Sequence, residues 1–342
     1  MDWEDRIRWL KNEIPHHYHM FTTTMGEFWK TSTAILSGHI MLSLAEAHPE
    51  DAIMLGIIGE SNSAKSVLAK CLNNYFPDFV GKIDFSNIIS KDIKKYSQEL
   101  GSTKGKGLLI CTEIDDNQYV PEKRFKILIS NETEGIEVKF KNKEDFNHVI
   151  RLLCFSNYPI MVEGEGKQIQ KRIAALEMFA DEKSREEYNE QKRSTGKSLK
   201  DFLFEEKSKA TIFLSGLGLS CLKTGNLPLN QHNIELGWRF AGLFSPLIIK
   251  KFSIEYDECN KMEAEKVFRV IKIYTEKKGM KKRVTYNLIE KGLKTFLNVS
   301  KDIYVLETSK KDNGKSVTKK YYKISIGNME LFTKYLTTED EE

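Results

Sequence analysis

The sequence predicts an α/β protein: a three-layer core, preceded by a helical region and followed by a helix, helix and hairpin unit. Three observations lead there. Short apolar runs at 53–59 (IMLGIIG), 107–112 (GLLICT) and 149–155 (VIRLLCF) alternate with helical or hairpin-like stretches, the pattern of strands and helices in layers. The first run ends in glycine and passes through the polar ESNSAKS into the helical VLAKCLNNYF, which reads as strand, loop, helix. Helical periodicity then dominates on both sides of that core.

In chain order, residues 2–12 and 25–47 have helical spacing, with Trp3, Ile7 and Leu10 on one face of the first and an apolar run from Phe28 to Leu44 in the second. His17-Tyr18-His19 between them is expected to be a loop. The core is expected over 50–182. Beyond it DEKSREEYNEQKRSTGKS reads as charged and irregular, and 201–224 as one helix stopped by Gly225 and Pro228. Residues 262–277 and 285–297 read as two amphipathic helices, and DIYVLETS and SVTKKYYKIS as a hairpin turned at KKDNGK. The expected division is therefore 1–49 (helical collar), 50–182 (core), 183–260 (helical linker), 261–336 (basic, winged-helix-like) and 337–342 (acidic tail).

Composition narrows the function. With 342 residues, 40% of them hydrophobic, the chain can bury a sizeable core, so intrinsic disorder is excluded. No stretch approaches the roughly 18–20 uninterrupted apolar residues of a membrane span, and the N-terminus is unlike a signal, so a non-secreted, cytoplasmic protein with no membrane partner is expected. The five cysteines are widely spaced and form neither a disulfide framework nor a zinc motif. The net charge of +4 conceals an imbalance. Residues 261–336 hold 19 Lys/Arg against 8 Asp/Glu, while 1–260 are nearly neutral, which points to a polyanion partner for the C-terminal part.

The sharpest motif is Gly59-Glu60-Ser61-Asn62-Ser63-Ala64-Lys65-Ser66, followed by Val67. It is a phosphate-loop pattern with Ala where glycine usually precedes the lysine. Backbone N–H groups and a helix N-terminus converge in such a loop, so a triphosphate can sit there. Lys65 would reach the β- and γ-phosphates, and the Ser66 hydroxyl would hold Mg²⁺. Ala64 tolerates positive φ poorly, so the loop is expected to keep it at negative φ. Downstream, Glu113 ends an apolar strand and would serve as general base at the carboxyl edge of the sheet, with Mg²⁺ also in reach. Asn157 ends the next and could hydrogen-bond both attacking water and a γ-phosphate oxygen. Arg172, with Lys171 as the alternative, could stabilise charge on a nucleotide bound by a neighbouring subunit.

In that order and spacing, GESNSAKS, LLICTEID and LLCFSN make residues 50–182 resemble the superfamily 3 helicases, hexameric AAA+ motors of viruses and mobile elements. The Ala-Lys-Ser of the loop is similar to that of minichromosome-maintenance helicases. The resemblance implies ATP and Mg²⁺, a homo-hexamer, and single-stranded and duplex DNA as partners, with a primase or origin-binding partner possible. It assigns the arginine finger to Arg172. It also implies a channel hairpin before the asparagine strand, here ETEGIEVKFKNKEDF, which would grip DNA through Lys139, Lys141 and Lys143. Lys310, Lys311, Lys315, Lys319 and Lys320 of the C-terminal hairpin are expected to contact duplex phosphates. Thr112 stands where many AAA+ proteins have an aspartate. The function so implied is an ATP-dependent replicative DNA helicase. A loader without processive unwinding, an RNA helicase and a non-hydrolysing binding protein are the rivals.

Overall fold

The computed structural model describes residues 2–45, 54–89, 98–99, 101–112, 114, 119–121, 125, 134–136, 144–146, 151–158, 160–162, 167–224, 226–241, 244–277, 285–297, 299, 303–310 and 316–337. They form two compact units, 1–160 with 171–240, and 161–170 with 241–342.

The first unit is organised by five parallel strands: β1 (Met54–Gly59), β2 (Val80–Asp84), β3 (Leu108–Thr112), β4 (Arg151–Ser156) and β5 (Ile173–Met178). Their order across the sheet is β2-β3-β4-β1-β5. The interior strands β3 and β4 are buried almost end to end, because helices cover both faces of a parallel sheet. The edge strand β2 alternates at its end, with Lys82 and Asp84 exposed, so its apolar run was too short to stand out in the sequence.

Helices α1 (Trp3–Glu13), α2 (Pro15–Thr24), α3 (Trp29–Leu44) and α4 (Lys65–Tyr75) share one core with the sheet. Leu10, Met20, Ile35 and Leu36 pack in the same cluster as Leu55, Ile57, Leu68 and Leu72. Each such burial is worth about 1.5–3 kcal/mol relative to exposure. The N-terminal helices, expected as a collar, share the core of the first unit in this packing. Beyond the sheet come α5 (Glu182–Thr195), α6 (Leu199–Glu205), α7 (Lys207–Thr224) and α8 (Gln231–Phe240). α7 lies close against α3: a Cβ added at Gly218 would stand 2.3 Å from the Ser37 carbonyl oxygen.

Three expectations need correcting here. Residues 181–198 are not irregular: α5 occupies most of them, entered from Asp181 and ended by Gly196 at φ +75°. The expected helix 201–224 is two helices, broken at Glu206, and α6 opens on a capping box of Ser198 and Asp201. His17-Tyr18-His19 is not a loop but lies inside α2, which Pro15 starts. The Glu206 carboxylate explains both of the last two. It accepts the backbone N–H groups of His16 (3.0 Å) and His17 (3.1 Å) and pairs with His17 Nδ1 at 2.6 Å. The other ring nitrogen meets the Tyr75 hydroxyl at 2.7 Å, so one buried network ties α2 and the break before α7 to the end of α4.

Before β4, Glu134–Ile136 pairs antiparallel with Glu144–Phe146, so the expected hairpin has its ladder. Lys139, Lys141 and Lys143 lie outside the described residues.

The second unit contains α9 (Phe244–Phe252), β6 (Ile254–Tyr256), β7 (Met262–Glu263), α10 (Ala264–Lys277), α11 (Tyr286–Leu297), β8 (Tyr304–Lys310), β9 (Ser316–Tyr322), β10 (Ile324–Ile326) and α12 (Met329–Leu336). The expected helix, helix, hairpin order is present. β8 and β9 pair from Tyr304↔Tyr322 to Lys310↔Ser316, β7 joins the far side of β9, and β6 pairs with β10. Phe252, Tyr274, Phe332 and Tyr335 meet edge-on at 5.6–5.9 Å in its core.

Candidate functional site

The loop between β1 and α4 sits at the carboxyl end of a central strand, with β4 on one side and β5 on the other. The chain leaves β1 toward β2 on one side of the sheet and leaves β4 toward β5 on the other, and such a reversal opens a crevice between the two strand ends. Gly59 is required by closeness: a Cβ would lie 2.0 Å from the Met178 carbonyl oxygen of β5. The path that follows differs from the expectation for Ala64. Its φ is +60°, in the left-handed region, and Asn62 is at +70°. Asparagine accepts that conformation readily; alanine pays roughly 1–2 kcal/mol. The strain lies at the residue that turns the chain into α4, so helix packing behind it must hold it there.

Lys65 is buried and folds over its own loop. Its Nζ donates to the carbonyls of Gly59 (2.7 Å) and Glu60 (2.6 Å) and to Ser63 Oγ (2.9 Å). Burial pushes its pKa down, and the nearby Glu60 partly opposes that. Ser66 is exposed in the first turn of α4. Asn157, immediately after β4, reaches the loop: its Nδ2 donates to Ser61 Oγ at 3.4 Å.

Two cavities meet at this point. One of about 570 Å³ is lined by loop residues 61–67, Asn157, α2 and α5; the other, of about 360 Å³, lies toward β3 and includes Thr112. Lys65, Ser66 and Asn157 line both. The structure thus brings together the predicted loop residues and Asn157. Glu113 lies outside the described residues, although its neighbours Thr112 and Ile114 both line the smaller cavity.

Arg172 is placed elsewhere. It precedes β5, its carbonyl accepts the Met54 N–H at 3.1 Å, and Ile173 pairs with Met54 at the amino end of β1. The loop between β1 and α4 is at the other end of that strand, about 16 Å away at roughly 3.3 Å per residue. Lys171, beside it, is exposed. Neither can serve the loop of its own chain.

One wall of the larger cavity escaped the sequence reading. Asp181, Ser184, Arg185, Tyr188, Asn189 and Lys192 all line it from α5. Their positions recur at helical spacing, but the stripe is polar, and a search for apolar periodicity passes over it. The Ser184 hydroxyl donates to the Asp181 carboxylate and holds it below the usual carboxylate range. Burial raises the Tyr188 phenol. The Phe179 N–H donates to the Thr24 carbonyl at 2.6 Å, which fixes the end of α2 beside the end of β5 and closes this wall.

Among the described residues no three His, Cys, Asp or Glu side chains gather as a metal site. Mg²⁺ chemistry is compatible with the residues present, because that ion is held largely by phosphates and water with few protein ligands, and Ser66 lines both cavities.

The lysines expected to contact duplex DNA fare differently. Lys311 and Lys315 lie outside the described residues, and Lys310 ends β8. Lys319 Nζ donates to Glu263 at 2.7 Å. Lys320 pairs with Glu290 and stands 3.7 Å above the Tyr304 ring.

A family model described as a family of unknown function (DUF5906) matches residues 57–172, about a third of the chain. No curated protein matches. Among solved structures, the apo A form of the NrS-1 C-terminal region is similar at 13% identity with a TM-score of 0.50, covering 92% of this chain and 76% of that one. The X-ray structure of JCV helicase matches at 9% identity with a TM-score of 0.32, covering 68% and 76% respectively. At 13% identity, what this chain shares with the NrS-1 region is its fold.

Proposed function

We propose that the chain is a nucleoside-triphosphate-hydrolysing motor of the helicase kind, acting on nucleic acid. The observation that carries the reading is the meeting of Lys65 and Ser66 with Asn157, from two distant parts of the sequence, at the carboxyl end of β1, where they line two neighbouring cavities.

In this reading Lys65 exchanges its three loop oxygens for the β- and γ-phosphate oxygens of ATP, and the backbone N–H groups of residues 61–66 take the rest of the phosphate charge. Mg²⁺ bound with the nucleotide would be held by Ser66 and would neutralise charge on the phosphates. Asn157 orients the attacking water, with Glu113 as its base. Arg172, before the amino end of β5, would act toward a neighbouring copy if the chain forms a ring; the hairpin ladder before β4 is suited to carry a strand grip. The helix, helix, hairpin order of the second unit is compatible with a winged-helix role on duplex DNA. Lys65→Ala tests the core of this reading. ATPase activity stimulated by single-stranded nucleic acid and strand displacement on a forked duplex are expected in the wild type and absent in the variant. Unchanged hydrolysis in Lys65→Ala would refute the site.

A further inference from the structure

A second cavity system lies on the outer side of α4, and nothing in the motor reading uses it. One face of α4 contributes Lys70, Asn73 and Asn74, the exposed position of β2 contributes Lys82, and α6 and α7 contribute Lys200, Phe204 and Lys207. They enclose about 430 Å³. Residues 70, 73 and 74 share one face of α4 and residues 200 and 204 one face of α6, while Lys207 joins them from the first residue of α7, just past the break at Glu206. Four cations line it, and among the described residues no carboxylate does. Lys200 Nζ stands 5.6 Å over the Phe204 ring, so a base that reaches this ring would take the place of the lysine as the lysine turns to a phosphate.

We infer that this groove binds a segment of single-stranded nucleic acid, with phosphates on the lysines and a base against Phe204. Charge alone would suit any polyanion. The half-buried aromatic and the two asparagine amides favour nucleic acid, because a base offers a face to stack and edges to hydrogen-bond, which an acidic peptide does not. Lys70 and Lys82 also line the smaller cavity beside Lys65 and Thr112, so the strand site and the phosphate site share a wall. This site is additional to the hairpin before β4 and to the C-terminal hairpin.

The test uses the full chain with Lys200 and Lys207, which lie away from the phosphate loop. Binding of fluorescent oligothymidine and oligouridine is followed by anisotropy over a salt series, alongside basal ATPase and thermal melting. In the Lys200→Ala, Lys207→Ala double variant, affinity is expected to fall about tenfold at roughly 0.1 M salt, with the salt slope reduced by about 1.4, or about 0.7 per lost phosphate contact. Phe204→Leu, which keeps the packing, is expected to lose about fivefold or more with the slope unchanged. Basal ATPase and melting should stay at wild-type values in the double variant. The tighter of the two oligonucleotides identifies DNA or RNA as the strand. Wild-type affinity and slope in the double variant would overturn the site, as would failure of the wild type to bind either strand. Full binding by Phe204→Leu would reduce it to a general basic patch and overturn the nucleic-acid assignment. Loss of ATPase in Lys65→Ala with strand binding kept would leave this site standing whatever becomes of the motor.

Discussion

The two units use lysine in opposite ways. The second carries the excess positive charge of the chain, yet its two best-described candidates for DNA contact are engaged within the unit: Lys319 with Glu263, and Lys320 with Glu290 and the Tyr304 ring. The first is nearly neutral in sum, yet it gathers four lysines around one groove with no carboxylate in the lining among the described residues, and it buries a fifth, Lys65, where the loop after β1 enters α4. Net charge counts side chains, whereas a binding site depends on which of them the fold leaves to an outside partner. An ion already paired offers an incoming phosphate little beyond what it gives up.

The comparison breaks most sharply at Lys65. Its removal is expected to lower ATP hydrolysis by at least about 100-fold, the scale on which a preorganised charge at a reacting phosphate acts, as phosphate release will measure. If a lysine of the second unit mattered as much to hydrolysis, the contrast would be void.

Acid separates the units next. All seven histidines lie within 1–160 and 171–240. Burial lowers the pKa of His17, with Glu206 opposing, and burial with Arg151 nearby pushes His39 well below 6.5. The unfolded chain therefore binds these protons more readily than the folded one. Their contribution to stability is complete above about 6.5 and is lost as pH falls below it. The carboxylate of Glu263 in the second unit is held below 4.5 by Lys319, so its contribution persists to lower pH. Urea unfolding followed by hydrogen exchange at pH 7 and 5 should show the first unit weakened and the second little changed. His39→Gln, which keeps a donor toward the Leu152 carbonyl, should flatten part of that dependence.

Lys320→Ala should cost the second unit about 1 kcal/mol in denaturant unfolding, from loss of a partly buried pair and a cation–π contact, while changing duplex affinity less than about threefold. A larger loss of affinity than of stability would return the basic hairpin to the role its charge suggested. The smallest effect is expected at the loop itself. Ala64→Gly relieves a left-handed alanine but loosens the unfolded chain, and should stabilise by roughly 0.5 kcal/mol with hydrolysis kept.

The loop from β1 into α4, the place of Asn157 after β4 and the strand-and-helix alternation were legible because each is local: a glycine-ended apolar run, a polar loop and a helix need only consecutive residues. Arg172 was legible as a residue but not as a position, since only the pairing of Ile173 with Met54 places it at the far end of the sheet. The wall formed by α5 was missed because its helix displays polar residues to a cavity. The positive φ of Ala64 was missed because the conformation is imposed by its surroundings against the residue's own preference.

The sequence by itself determined the elements that follow from periodicity and turn chemistry, the strand, loop and helix around Lys65, and the total of charge in each stretch. Tertiary structure decided that the N-terminal helices share the core of the sheet, that Glu206 breaks a helix to hold His17, and which lysines are spent on glutamates. Those outcomes depend on side chains distant in sequence: His17 and Glu206, or Lys320 and Glu290. Their energies arise only when burial removes water from between them.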